Sequence, residues 1–123
     1  MDVSHILENL NDPQLEAVTS EDKSLLVLAG AGSGKTRVLV HRIAWNVEAM
    51  GLNPSSIMAV TFTNKAAQEM QSRIQELLQS PAGDMWCGTF HGLAHRTLKR
   101  FYKEADLISG FTILDSYDQL RII

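Results

Sequence analysis

Ala29-Gly30-Ala31-Gly32-Ser33-Gly34-Lys35-Thr36 is the stretch that decides the fold of this chain. It ends in the Gly-Lys-Thr of a phosphate-binding loop. It follows the apolar run Leu25-Leu26-Val27-Leu28, and a helical pattern begins at Arg37. Strand, glycine-rich turn and helix, in that order, are the setting in which such a loop works. Glycines let successive backbone N–H groups point inward at phosphate oxygens with no Cβ in the way. The helix that starts there adds its positive dipole end. Lys35 can reach the β- and γ-phosphates, and the Thr36 hydroxyl can ligate Mg²⁺. The usual pattern opens on glycine where this sequence has Ala29, a residue small enough to keep the turn.

Around this loop, 123 residues with 45% hydrophobic and 20% charged content fit one soluble globular domain with a modest core. No apolar run approaches the length of a membrane span. The start, Met1-Asp2-Val3-Ser4-His5, is too polar for a signal peptide. Cys87 is the only cysteine, so no disulfide forms within the chain, and a reducing cytoplasmic setting is expected. Its neighbours Met85, Trp86, Gly88 and Phe90 read as a buried strand, which makes Cys87 an inert core thiol rather than a nucleophile. A net charge of −3 argues against a wholly basic nucleic-acid binder and leaves room for a local basic surface.

Upstream of the loop, Ser4 to Leu10 reads as a short helix capped by Ser4. Asp12-Pro13 reads as an N-cap and a first-turn proline opening a second helix to about Thr19. Glu21-Asp22-Lys23 is a polar turn. Ser24 to Leu28 shows no alternation, which predicts a strand buried on both faces, as in a parallel sheet. Downstream, Leu39, Ile43 and Val47 recur on one face of a helix from Gly34 to about Met50, and Gly51 is a good stop. Ile57 to Thr61 is a second buried strand. Thr63 or Asn64 caps a third long helix with the stripe Ala66, Met70, Ile74 and Leu77. Pro81-Ala82-Gly83 is a loop, Met85 to Thr89 a third strand, and Phe90 to Lys103 a helix. Gly110 breaks the chain, Phe111 to Leu114 is an extended piece, and Ser116-Tyr117-Asp118-Gln119 opens one more helix. That helix has barely begun at Ile123, so the chain reads as the N-terminal part of a longer protein. The alternation of strands and helices predicts right-handed crossovers and a parallel sheet.

Three further segments carry chemistry. In Leu10-Asn11-Asp12-Pro13-Gln14, the Gln14 amide offers the acceptor and donors that pair with the N6 and N7 edge of adenine. In Thr61-Phe62-Thr63-Asn64-Lys65, at the C-terminal end of a strand, Phe62 can stack on a base. Thr63, Asn64 and the helix start can hold a phosphate. Periodicity alone instead favours a buried Phe62 and an ordinary helix cap. Gly88-Thr89-Phe90-His91 offers hydroxyl, aromatic and imidazole groups at the next strand end. His91 and His95 have a metal-ligand spacing, but Gly92 stands where such a helix motif needs glutamate. Arg96, Lys99, Arg100 and Lys103 share one helix face, which suits either a nucleic-acid backbone or plain solvation.

Together these residues resemble the superfamily 1 DNA helicases of the UvrD, Rep and PcrA type along the whole chain. The adenine-reading Q motif matches Leu10 to Gln14, motif I matches Ala29 to Arg37, motif Ia matches Thr61 to Met70, and the next single-strand-binding motif matches Gly88 to Arg96. The resemblance implies that Gln14 reads adenine with Arg37 near the base. Ala29, Gly30, Ala31, Gly32, Ser33, Gly34, Lys35 and Thr36 would hold ATP and Mg²⁺, with Lys35 and Thr36 serving catalysis and Thr36 the metal. Phe62, Thr63, Asn64, Thr89, Phe90 and His91 would line a single-stranded DNA path. It implies a 3′ to 5′ motor that acts at junctions of single- and double-stranded DNA, in nucleotide excision and mismatch repair with repair proteins. It also implies an α/β fold. Residues 1–90 would be part of a RecA-like P-loop NTPase domain with a parallel sheet flanked by helices. Residues 91–123 would begin a helical insertion subdomain. The acidic motif that holds Mg²⁺ and activates water does not follow in this sequence, nor does a second motor domain, so the 123 residues alone are expected to be inactive. Another P-loop enzyme such as a small kinase, or a free-standing ATP-binding domain, are the alternatives.

Overall fold

A computed structural model describes residues 2–30, 34–78 and 84–112 of the chain. Among the described residues the fold is α/β, with five helices and a pair of strands. In chain order they are α1 (Ser4–Leu7), α2 (Asp12–Thr19), α3 (Lys35–Glu48), β1 (Met58–Thr61), α4 (Asn64–Leu77), β2 (Trp86–Thr89) and α5 (Phe90–Arg100). A single 3-10 turn at Pro54–Ser56 leads into β1. The strands pair in parallel, with Met58 opposite Trp86 and Thr61 opposite Thr89. Such a pair needs a crossover, and α4 supplies it.

The helix boundaries follow from their caps. Asn11, not Asp12, caps α2: its side chain accepts from Gln14 N, and the Gln14 side chain accepts from Asn11 N, a reciprocal capping box. The cap lies one residue before the expected one because the pairing selects the residue three before Gln14. Ser4 likewise does not cap α1. The Asp2 carboxylate accepts from Ser4 N at 2.9 Å, and that hydrogen bond holds the carboxyl below its usual range. Thr63 caps α4 and Thr89 caps α5 through side-chain oxygens. α5 ends at Arg100, earlier than the expected Lys103.

One core cluster joins α1, α3, α4 and the strands through Ile6, Val40, Ile43, Ala44, Ala59, Met70, Ile74 and Met85. A smaller one, Ala17, Val18 and Val38, seats α2 on α3. The two expected stripes hold at Ile43 and Val47 and at Met70 and Ile74, and each differs at its first position. Leu39 is exposed while Val40 is buried, and Ala66 is exposed while Ala67 is buried. An apolar stripe on a helix spans more than one register, so neighbouring apolar residues compete for the inward position.

The larger correction concerns Ser24 to Leu28, which forms no strand. Leu25 and Val27 are 42% and 41% exposed, Leu26 and Leu28 81% and 85%. One side of the segment is half-covered and the other is open, where burial on both faces was expected. A strand is a pairing rather than a local shape, and among the described residues no neighbouring strand bonds to this segment. The second expected strand is also less buried than its composition suggests: only Ala59 is fully inside and Met58 is exposed. The expected loop at Pro81–Gly83 and the elements from residue 113 onward lie outside the described residues.

Candidate functional site

The glycine-rich stretch is described at Ala29, Gly30 and Gly34, and Ala31, Gly32 and Ser33 lie outside the described residues. Gly34 is the N-cap of α3 and takes a left-handed conformation, with φ +83°. Only glycine adopts that conformation without strain. An added Cβ would also meet Gln14 Nε2 at 3.0 Å. Lys35 and Thr36 follow in the first turn of this 14-residue helix with exposed side chains. The first N–H groups of a helix have no partner inside it, so they and the ammonium of Lys35 make an anion site.

α2 brings Gln14 to the same place. The capping box holds Gln14 Oε1 on Asn11 N at 3.0 Å, which leaves Nε2 on the side of Gly34. An amide oxygen has two lone pairs, so Oε1 can still accept a second hydrogen bond. A cleft of about 230 Å³ opens here, with Asn11, Gln14, Ala29, Lys35 and Val38 in its wall. A neighbouring cleft of about 440 Å³ shares Lys35 and includes Thr36, Leu25 and Arg42. Arg37 donates from Nη2 to Asn9 O at 3.1 Å, while its Nε is buried with no partner among the described residues. A buried N–H left without an acceptor costs about 1–3 kcal/mol, so an acceptor brought by a ligand would be favourable at this position. The donor set fits an adenine nucleotide: an amide for the base edge, and a helix start, a lysine and a hydroxyl for the phosphates and their metal.

The second group of residues gathers at the far ends of the strands. Because β1 and β2 run parallel and in register, the segments after Thr61 and Thr89 leave the sheet side by side. Phe62 and Phe90 meet there with ring centroids 5.6 Å apart and planes inclined by 48°. Phe62 is 89% exposed and Phe90 59% exposed, so neither is core and the buried reading of Phe62 is overturned. Apart from their contact with each other, the two rings expose most of their apolar surface to water at this edge. Thr63 Oγ1 accepts from Ala66 N at 3.1 Å, and Thr89 Oγ1 from Gly92 N at 3.0 Å. Their lone pairs serve the caps, and their protons remain available to an acceptor. Asn64 and His91 are exposed beside them. The edge thus carries two aromatic faces and two helix starts.

The i, i+4 histidines do different things. His95 stands edge-on to Phe111, with centroids 5.6 Å apart, while His91 stays at the strand end. The basic stripe is also divided. Arg96 lies over the Trp86 ring at 4.3 Å and reaches Met85 O at 3.5 Å. Arg100 and Lys103 lie near Phe101 and Tyr102. A third cleft, of about 260 Å³, sits between Met58, Trp86 and Phe101 at the opposite ends of the strands and holds none of the motif residues. Cys87 donates to Ala67 O, and burial raises its thiol pKa, as suits an inert position. Sequence reasoning missed Arg42, which donates to three main-chain carbonyls. Its one signal is a charged residue set among the apolar positions of α3.

Comparison with known proteins bears on the same residues. The family model for the UvrD/REP helicase N-terminal domain matches residues 10–123. DNA helicase II of Escherichia coli (strain K12) is 61% identical over 123 residues, covering 100% of this chain and 17% of that protein. DNA helicase II of Haemophilus influenzae is 54% identical over 127 residues, covering 100% of this chain and 18% of that protein. The ATP-dependent DNA helicase PcrA of Bacillus subtilis is 47% identical over 120 residues, covering 98% of this chain and 16% of that protein. The chain therefore spans less than a fifth of the length of these relatives.

Proposed function

The chain belongs to the UvrD/REP helicase N-terminal domain family, and from that premise we propose that it is the ATP-binding N-terminal portion of an ATP-dependent DNA helicase. The observation that carries the reading is the approach of Gln14 to Gly34, which sets a base-reading amide against a phosphate cradle. On this reading the adenine edge meets the Gln14 amide, with Arg37 beside it. The triphosphate lies on Ala29 to Thr36, and Lys35 neutralises charge on the β- and γ-phosphates. Thr36 would hold Mg²⁺, which when bound draws charge from the transferring phosphoryl group. Phe62 and Phe90 stack against bases of a single strand, and Thr63, Asn64, Thr89 and His91 contact its backbone.

The same reading makes residues 1–90 part of a RecA-like domain and residues 91–123 the start of a helical insertion. The acidic residues for metal and water, and a second motor domain, would come from sequence beyond these 123 residues. The whole protein would track 3′ to 5′ along single-stranded DNA and open duplex at a junction, in excision and mismatch repair with repair proteins. A reducing cytoplasm suits it. No described helix is long and apolar enough to cross a membrane. The test is ATP turnover with and without single-stranded DNA, beside a Lys35→Ala control, measured on the 123-residue chain and on a longer protein that carries it. Lys35-dependent, DNA-stimulated turnover in the longer protein only is the expected result. Turnover by the 123 residues alone would overturn the division of the catalytic site.

A further inference from the structure

α3 does more than present the phosphate cradle. Seven residues beyond Lys35, Arg42 extends its guanidinium to the end of α2. Nη1 donates to Ala17 O at 2.7 Å and to Ser20 O at 2.9 Å, and Nη2 reaches Asp22 O at 3.4 Å. Ala17 O lies in the last turn of α2, where carbonyls have no acceptor role left inside the helix, and Ser20 is its C-cap. Three carbonyls from one segment thus converge on one cation. The Asp22 carboxylate accepts from the Ser20 hydroxyl. Only the rigid, planar fork of arginine presents donors in this spread, and a lysine ammonium is a point charge.

The other end of α2 holds Gln14. α2 has eight residues, so it is a short rod with about 12 Å between its ends. Its apolar contact with α3 is Ala17 and Val18 against Val38, with Leu10 and Trp45 packed around them. Dispersion contacts have no direction, so they do not by themselves set the rotation of α2 on α3. The directional bonds between the two helices sit at the rod's ends: Arg37 to Asn9 O just before it, and Arg42 to the carbonyls at its close. Both arginines belong to α3, as does the first residue after Gly34.

We propose that Arg42 is a positioning residue for base recognition: by fixing the C-terminal end of α2 on α3, it holds the Gln14 amide at its distance from the phosphate cradle. This rests on the nucleotide reading given above. Arg42 needs no contact with the nucleotide for this role. It acts through Gln14, and its loss loosens the base subsite while leaving the cradle in place.

The test compares dissociation constants for ATP and for inosine triphosphate, which lacks the 6-amino group, by competition against a fluorescent nucleotide. It uses the full chain, wild type and as Gln14→Ala, Arg42→Ala, Arg42→Lys and the Gln14→Ala/Arg42→Ala double variant. A bidentate base contact sets the wild-type preference for ATP at roughly 5- to 150-fold. Each single variant is expected to lose most of that preference, ATP weakening more than inosine triphosphate because only ATP loses the 6-amino contact as well as the one to N7, and the double variant to match Gln14→Ala. Arg42→Lys should behave as Arg42→Ala, because charge without the fork does not span the carbonyls. If Arg42→Ala fails to fold, judged by loss of helical circular dichroism, Arg42→Lys carries the same comparison. An ATP preference untouched by the Arg42 variants would overturn the proposal, and so would an equal loss for both nucleotides, which would mark a phosphate contact. A wild-type chain that binds both nucleotides alike would overturn the base-reading role of Gln14 itself.

Discussion

At Gly34 the backbone takes a conformation that glycine meets without strain. Its φ of +83° strains any side chain, and an added Cβ would press on Gln14 Nε2 at 3.0 Å, so that the amide would have to shift. Gly34→Ala is therefore expected to cost about 1–2 kcal/mol from the left-handed conformation, and to lower the melting temperature by several degrees. It should also weaken nucleotide binding by displacing Gln14. A melt and a nucleotide titration on the same sample check both, and an unchanged affinity would remove Gln14 from the site. Phe62 makes the opposite case. It is exposed, so Phe62→Ala should leave the melting temperature nearly unchanged, yet the loss of one stacking platform should weaken single-stranded DNA binding by about 1–3 kcal/mol. Fluorescence anisotropy with a short thymidine oligonucleotide at fixed salt reads this. A lowered melting temperature with unchanged affinity would return Phe62 to the core. The sequence could not decide Phe62, because an aromatic at a strand end packs inward in most proteins, and its exposure depends on where β2 and α5 end. Cys87 was legible. Its apolar neighbours announce burial; the thiol is half-buried against the core rather than inside it, and that burial raises its pKa. It should alkylate slowly at neutral pH. The sign of the linkage is fixed: the unfolded thiol ionises at lower pH than the folded one, so stability holds below the ordinary thiol pKa and falls as pH rises through the raised one.

The helices were largely readable as elements because their signals are local. A cap, a proline in the first turn and an apolar period lie within a dozen residues of one another, and α2, α3, α4 and α5 all formed close to where these signals placed them. Capping can be tested on α4. Thr63 Oγ1 satisfies Ala66 N, so Thr63→Ala should cost about 1 kcal/mol and Thr63→Ser very little, since serine keeps the oxygen. Denaturant unfolding measures both. Equal loss in the two variants would shift the explanation from the cap to the methyl group. The strand at Ser24 to Leu28 was misread for the complementary reason. Its composition marks apolar, strand-forming residues, but pairing is set by partners far away in sequence, and local composition carries no record of them. The same non-local dependence hid Arg42, whose acceptors lie 20 to 25 residues upstream.

At the scale of the molecule, the balance of covered and open surface is uneven. The core is continuous from α1 to β2, yet Leu26 and Leu28 stand in solvent, and among the described residues no strand pairs with their segment. Exposed apolar side chains on a segment outside the sheet recruit other chains by burial and by strand addition together. The 123-residue chain on its own is therefore expected to bind a hydrophobic dye and to sediment as larger species as concentration rises. Replacing Leu26 and Leu28 with lysine should suppress both effects, whereas Phe62→Ala, at the other exposed edge, should not. The same experiment separates this chain from a self-sufficient binding domain. A free-standing module would melt sharply at a temperature independent of protein concentration, and ATP at 100 times its dissociation constant would add about 2.7 kcal/mol to its stability. A dye-silent monomer with that nucleotide response would mean that Leu25–Leu28 is covered in solution, and that the cradle is complete without a neighbouring strand. Dye binding relieved by the two lysines would mean that the segment carrying the phosphate loop lacks a partner, and that the site reaches its working geometry only when one is supplied.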